Sequence, residues 1–322
     1  MARIRAFENA AEEASRGGVA AFGATLAVAL VRGPLHLSTG QEAVPAGVCA
    51  NLEPTDLLTS THRGHGHTIA KGADTSAMMC ELFGRASGAN RGKGGSMHIA
   101  DFAVGMLGAN GVVAAGIPIA VGAAQAIQAR NGREIVACFF GDGAVNRGPF
   151  LEGLNWAAIY RLPVLFVCED NRYSATTPTG AMTGGNGAAA RAVAIGVPSR
   201  AVDGNDVEAV DAAARVLIAE VRGGAGPRFL HCLTYRVKGH VSVDAATYRN
   251  ADEVTRAVES DPLPAAAGRL LAHGVEAASL ARIRSEADAE IGVAVAAASA
   301  APWPAPAEAY RDVQDVGAGR WY

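Results

Sequence analysis

No basic block interrupts this chain: 28 Lys and Arg stand against 31 Asp and Glu, for a net charge of −3 with the 8 His counted neutral. That balance argues against a nucleic-acid partner, whose phosphates call for a positive surface. Cysteine is scarce too. Its 5 residues (Cys49, Cys80, Cys138, Cys168 and Cys232) lie mostly in apolar runs without metal-ligand spacing, which reads as buried thiols in a reducing compartment. Long apolar runs are also missing. Val19 to Val31, the longest near the N-terminus, is too short to span a bilayer. It follows charged residues through Arg16 instead of a short basic start, so no export segment is evident and a cytoplasmic location is expected. What the chain does have is apolar mass: of 322 residues 50% are hydrophobic, enough to bury roughly three quarters of the unfolded surface. We read residues 1–322 as one α/β domain, with an N-terminal helical segment over 1–35 and a helical extension over 251–322.

The most informative string is Gly141-Asp142-Gly143, followed by Asp170-Asn171. Glu134 to Phe140 and Leu162 to Val167 are short apolar runs of β-formers, and Pro149 to Tyr160 between them has helical character. A strand, helix, strand unit of this length is a right-handed crossover, so its strands run parallel and their carboxyl ends share one sheet edge. Asp142 and Asn171 are expected to meet there, where open α/β sheets bind ligands. A carboxylate and an amide suit Mg²⁺, which takes a few protein oxygens plus phosphate and water. The flanking glycines let backbone amides approach a phosphate. The bland alternative for Gly141-Asp142-Gly143 alone is a tight turn with an Asp cap.

Glu169-Asp170-Asn171-Arg172-Tyr173 stands close to the string that ends the thiamine diphosphate (ThDP) motif. With HLSTGQEAVPAGVCA (36–50), STHRGHGHTIAKG (60–72), GKGGSMHIAD (92–101), GMLGANGVV (105–113), CFFGDGAVNRG (138–148) and TYRVKGH (234–240), the chain resembles the alpha subunits of ThDP-dependent 2-oxo acid and acetoin dehydrogenases, most closely the acetoin type. The resemblance implies a parallel sheet with helices on both faces and a ThDP·Mg²⁺ cofactor. Asp142, Asn171 and the main-chain carbonyl of Tyr173 would bind Mg²⁺. Gly143 and Ala144 would offer amides to the diphosphate, and Arg63 and His240 would contact it. Gly111 and Val113 would hold the aminopyrimidine through their backbone. His65 would lie by the thiazolium and substrate as a catalytic group together with His240, with His62 nearby. An Arg suits the diphosphate because its planar fork pairs with two oxygens and stays charged.

The run His62, His65, His67 admits zinc, a plain surface loop or a substrate-facing cofactor loop. Gly64 and Gly66 make it read as a loop, which favours the last over a helical metal pair. Four positions depart from the family's pattern. Asp170 replaces an Asn, Arg147 a common Gln and Lys238 a frequent His; Val241 stands where pyruvate members carry a Ser phosphorylated in some, which excludes that control here.

The resemblance implies cleavage of acetoin, or decarboxylation of a 2-oxo acid, with transfer of the two-carbon unit to a lipoyl group on an acyltransferase. A pyruvate or branched-chain 2-oxo acid substrate is the second reading, a biosynthetic two-carbon transferase the third, and a non-enzymatic binding module the bland one. The family's pyrimidine-activating glutamate comes from a beta subunit, so the site is expected at an interface, most simply in an α2β2 assembly. Small residues over Gly111 to Ala124 suit a tight helix contact across that boundary or an ordinary core. Gly84 to Gly95, Ser174 to Ala189 and Val241 to Asn250 have little apolar periodicity and are expected to be mobile.

Overall fold

The computed structural model describes residues 1–16, 29–31 and 33–311. Ala20 to Gly33, for which the sequence offers a helix on the subunit or a lengthened link, lies outside them except for residues 29–31 and 33. Among the described residues a six-stranded parallel sheet forms the centre, in the order β2-β1-β3-β4-β8-β7. The strands are β1 (Leu57–Thr59), β2 (Met106–Gly108), β3 (Val136–Gly141), β4 (Val164–Asp170), β7 (Ser199–Asp203) and β8 (Arg228–Leu233); β5 (Tyr173–Ser174) and β6 (Thr177–Pro178) make a small separate hairpin.

Alternation along β3 and β4 explains why helices cover both faces. The register pairs Cys138 with Phe166 and Phe140 with Cys168, while Ala137 meets Leu165 and Phe139 meets Val167. The first set packs with Phe229 against α5 (Gly116–Ala129), α6 (Gly148–Tyr160) and α7 (Gly187–Ala194). The second set packs with Leu230 against α2 (Ala43–Cys49) and α8 (Val207–Arg222). Strands buried on both sides read as continuous apolar runs, and each enclosed Phe or Leu contributes about 1.5–3 kcal/mol of burial. Helix α8 shows the matching helical pattern. Asp206 caps it by accepting from the Glu208 and Ala209 amides, and Val210, Ala213, Ala214, Leu217, Ile218 and Val221 form the buried stripe.

A second helical layer lies to one side of the sheet. Helix α1 (Ala2–Ser15) and α11 (Ala277–Ala300) share a core with α4 (Thr75–Leu82), through Phe7, Met79, Phe83, Ile291 and Ala294. Two shorter helices, α9 (Ala251–Glu259) and α10 (Pro262–Ala272), precede α11. One expectation is corrected: His65 and His67 do not sit in a loop but open a short helix, α3 (His65–Ala70). Glycines do not prevent it, because Thr68 Oγ1 donates back to the Gly64 carbonyl at 2.7 Å and the helix is buried along its length. No helix among the described residues is long and apolar enough to cross a membrane.

The segments expected to be mobile are each tied to a carboxylate. Glu81 accepts the backbone amides of Asn90, Gly92, Gly94 and Gly95. Asp142 accepts from Thr179, and Asp244 accepts from the His240 and Ala246 amides and the Tyr248 hydroxyl.

Candidate active site at the sheet switch point

The chain leaves β1 to form β2 on one side of it and returns to form β3 on the other. Connections therefore diverge at the carboxyl ends of β1 and β3, the place where open sheets leave a crevice. A cavity of ≈ 200 Å³ lies there, lined by Ser60 to Arg63 after β1 and Gly141 to Ala144 after β3. Tyr173, Arg236 and His240 reach it from beyond β4 and β8, and Gly111 to Ala114 reach it from the loop before α5.

Asp142 is buried, and its side chain's hydrogen-bond partner among the described residues is the Thr179 hydroxyl. Burial raises its carboxyl to about 6, with Asp170 adding to the rise and Thr179 opposing it. Such a carboxylate calls for a cation. Asn171 is also buried: its Oδ1 accepts from the Tyr173 amide at 3.2 Å and its Nδ2 donates to Gln41 at 3.2 Å. A carbonyl oxygen with one donor keeps a second lone pair for a metal. Gly143 is tightly packed against Ser174, since a Cβ there would lie 2.3 Å from its Oγ and 2.8 Å from its Cβ, so any larger residue would have to displace that side chain. A carboxylate, an amide oxygen and backbone carbonyls are all hard oxygen donors, so the residues present fit Mg²⁺.

The opposite wall is cationic. Arg63 is 4% exposed, donates to the Leu37 carbonyl at 2.8 Å and to the His240 carbonyl at 2.8 Å, and its Nη2 lies 3.1 Å from His240 Nδ1. Burial, then the neighbouring Arg236, lowers its pKa to about 9. Arg236 is anchored by the Ala175 carbonyl and the Tyr248 hydroxyl. Around these cations His36, His62 and His240 bring ring nitrogens within 4.8 Å of one another. Burial and then Arg63 hold all three below the ordinary 6.5, at about 3 for His36, about 2 for His62 and about 4 for His240. Three neutral imidazoles can ligate a transition metal, but two guanidiniums beside them repel a cation and attract an anion. The geometry therefore offers an oxyanion pocket beside a hard-cation pocket, the arrangement a metal-bound diphosphate needs.

Of the residues singled out from sequence, His62, Arg63, Gly111, Val113, Asp142, Gly143, Ala144, Tyr173 and His240 line this one cavity. Asn171 is buried next to it in sequence without lining it, and His65 does not line it either. His65 is fully enclosed, with Nδ1 2.9 Å from Glu8 and Nε2 3.0 Å from Ser96. His67 is likewise internal, between Ser60 at 2.7 Å and Glu169 at 3.2 Å. The three-histidine run thus contributes one ring, that of His62, to the cavity, and the clustered trio is completed by His36 and His240 instead. His36 and Arg236 were missed as site residues. Both lie inside strings that carry the resemblance, one opening HLSTGQEAV and the other within TYRVKGH. All 5 cysteines are buried and unpaired, and burial pushes the Cys49 and Cys138 thiols up to about 12, which removes them as metal-binding thiolates.

Comparison with known proteins gives the same direction. The family model described as dehydrogenase E1 component matches residues 23–307. The alpha subunit of acetoin:2,6-dichlorophenolindophenol oxidoreductase from Bacillus subtilis is 47% identical over 253 residues, covering 79% of this chain and 73% of that protein. The subunit of the same name from Cupriavidus necator is 47% identical over 70% of this chain and 67% of its own length. The pyruvate dehydrogenase E1 component subunit alpha of Zymomonas mobilis is 41% identical over 79% of this chain and 72% of its own. With a parallel α/β sheet and a cavity lined by Arg63 and Asp142 at its switch point, the chain belongs to the dehydrogenase E1 component family, and with it to the thiamine-diphosphate-dependent oxidoreductases.

Proposed function

We propose that this chain is the alpha subunit of an acetoin-cleaving E1 component that works with a beta subunit and passes a two-carbon unit to a lipoyl-bearing acyltransferase. The observation that carries the reading is the convergence of Arg63, Asp142, Gly143, Tyr173 and His240 on one cavity. When bound, thiamine diphosphate supplies the nucleophilic carbon and electron sink for breaking a bond next to a carbonyl. Asp142, Asn171 and the Tyr173 carbonyl hold Mg²⁺ in this reading. The Gly143 and Ala144 amides, with Arg63, Arg236 and His240, bind the diphosphate, and Gly111 and Val113 orient the pyrimidine through their backbone. His36, His62 and His240 stay neutral, so they present a donor and an acceptor to a carbonyl substrate without adding charge.

Two features support a site shared with a beta subunit in an α2β2 assembly. A cavity of ≈ 200 Å³ is smaller than the ~300 Å³ or more of a complete ligand pocket, as expected when one wall is supplied from outside. Beside its mouth Val112 and Val113 are exposed, and Ile119, Leu151, Trp156 and Ile159 on α5 and α6 continue an apolar face that is open to solvent. Over 111–124 Ala114, Ile117, Ala120, Val121 and Ala124 fill the core, and the outward side, with Val112, Val113 and Ile119 exposed, supports the other suggested use, at a subunit boundary.

Acetoin is preferred to pyruvate on the 47% identity to two acetoin subunits against 41% for the pyruvate one. Turnover with an artificial electron acceptor tests both parts. The chain alone is expected to be silent and the complex with its beta subunit active, fastest with acetoin. Robust turnover by the isolated chain, or a dominant rate with a branched-chain 2-oxo acid, overturns the reading.

A further inference from the structure

Glu8, on the N-terminal helix α1, is a carboxylate with no exposure at all, far in sequence from every cavity residue. Its Oε1 accepts from the Ser38 amide at 2.9 Å and the Ser38 hydroxyl at 2.6 Å. Its Oε2 lies 2.9 Å from His65 Nδ1, and His65 Nε2 lies 3.0 Å from Ser96 Oγ. The ring is held edge-on by Phe7 at 5.6 Å, and a Cβ on Gly66 would lie 3.0 Å from Ser38 Oγ, so the chain of bonds is tightly packed. The Glu8 carboxyl is held below its ordinary range by His65 and Ser38, against the opposing cost of burial.

Each end of this chain borders a different wall of the cavity. Ser38 follows Leu37, whose carbonyl accepts from Arg63, and Leu37 follows the cavity residue His36. His65 lies two positions after Arg63. Ser96 precedes Met97, which lines the cavity from the segment that Glu81 gathers. We propose that Glu8 and His65 are positioning residues: the buried Glu8–His65–Ser96 chain fixes the 36–38, 62–65 and 95–97 segments relative to one another, and so sets the spacing between the anion-binding wall and the Met97 wall. A buried, fully bonded network of this kind holds one geometry because every alternative leaves a polar group unpaired. His65 accordingly acts through its neighbours and does not touch the reacting atoms. Lys238, two residues before His240, pairs with Glu12 at 2.8 Å and ties the same helix to the third side of the site.

The inference rests on the cofactor reading above, and the test separates the two. In the complex with the beta subunit, ThDP binding is measured calorimetrically at fixed Mg²⁺ for wild type, Ser96→Ala, Glu8→Gln and the double variant, with unfolding temperatures in parallel. Ser96→Ala removes one hydroxyl and is expected to raise Kd about tenfold, the usual low end for an outer partner of a binding group, while moving the unfolding temperature little. Glu8→Gln is expected to raise Kd similarly, and the double variant to be no weaker than the weaker single one, because both break the same chain. Unchanged Kd in both single variants, or fully additive losses, overturns the positioning role. A loss of unfolding temperature with Kd retained overturns it too, by reducing the chain to a structural one. If Ser96→Ala does not fold, Glu8→Gln decides alone. A wild-type complex that binds no ThDP sinks the cofactor reading and the inference together.

Discussion

Asp142 and Arg63 line the same cavity from the ends of β3 and β1, and burial drives both toward their neutral forms. The carboxyl rises to about 6 and the guanidinium falls to about 9. Neither has an ion-pair partner among the described residues. Glu8 and His65, equally enclosed, behave differently: they face each other at 2.9 Å and have every polar atom bonded. An unpaired buried charge is expensive, whereas a paired and bonded one is tolerated. Charges that serve the fold are therefore balanced within the chain, and those at the cavity are left to be balanced by a ligand. In the proposed reading a divalent cation relieves Asp142 and a diphosphate relieves Arg63.

Removing the unbalanced carboxylate is the most severe way to break this symmetry. Asp142→Ala is expected to abolish Mg²⁺-dependent ThDP binding, a loss beyond ~100-fold, because a hard cation loses its charged protein ligand; Asn171→Ala follows close behind. Calorimetric titration of the complex checks it, and unchanged affinity removes the metal assignment. On the opposite wall Arg63→Lys keeps the charge but loses the fork that spans the Leu37 and His240 carbonyls. About a tenfold loss of ThDP affinity is expected, with Mg²⁺ dependence retained, and the same titration reads it.

The imidazoles sharpen the comparison through pH. Each of His36, His62 and His240 has a folded pKa below the ordinary 6.5, at about 3, 2 and 4. Above pH 6.5 they are neutral folded or unfolded, so they contribute no pH dependence. Between 6.5 and about 4 the unfolded chain takes up protons that the folded chain refuses, and stability falls as pH falls, by about 1 kcal/mol per pH unit for each imidazole. Denaturant unfolding of the ligand-free chain between pH 7 and 4.5 measures this slope, and His62→Gln should make it shallower. A slope unchanged by that substitution means that folding does not displace the His62 pKa.

Legibility in the sequence followed the range of the interactions. The sequence places helix α6 and strands β3 and β4 within a few residues of their observed ends, because the pattern that buries them repeats along the chain. The three-residue β1 and β2 are too short to show a period, and β7, an edge strand with Arg200, Ala201 and Asp203 exposed, lacks the apolar run that marks its neighbours. Site residues divide the same way. Arg63, Asp142 and His240 stand in strings whose residue types state their chemistry. Glu8 does not, since its partners Ser38, His65 and, through His65, Ser96 are brought to it only by packing of α1 against α3 and α4. The loop reading of His65 to His67 failed because glycine count outweighed the tertiary burial that makes α3 a helix.

The smallest expected effect belongs to the departure from the family's pattern beside the proposed metal ligands. Asp170 places a second carboxylate near Asp142 and contributes to its raised pKa. Left free, such a charge would compete with Asn171 for Mg²⁺ or disturb the metal's hydration. It is not free: Oδ2 lies 2.9 Å from His231 Nε2, and Oδ1 accepts from the Arg172 amide at 3.2 Å. Both oxygens are thus directed to partners on the chain's own β8 and the turn after β4. Asp170→Asn keeps an oxygen for the Arg172 amide, removes the charge, and presents an NH2 donor to His231 Nε2, which a neutral ring protonated at Nδ1 accepts. Two consequences then oppose each other: the metal site loses distant negative charge, which weakens Mg²⁺, and Asp142 loses a repulsive neighbour, which makes its ionised form easier to keep. We expect Mg²⁺ affinity at pH 7.5 to change by no more than about threefold, the scale of a partly screened charge interaction. Titration of ThDP binding against Mg²⁺ in the wild-type and Asp170→Asn complexes measures it. A loss approaching that of Asn171→Ala would make Asp170 a metal ligand and move the cation from the Tyr173 side of the site toward His231.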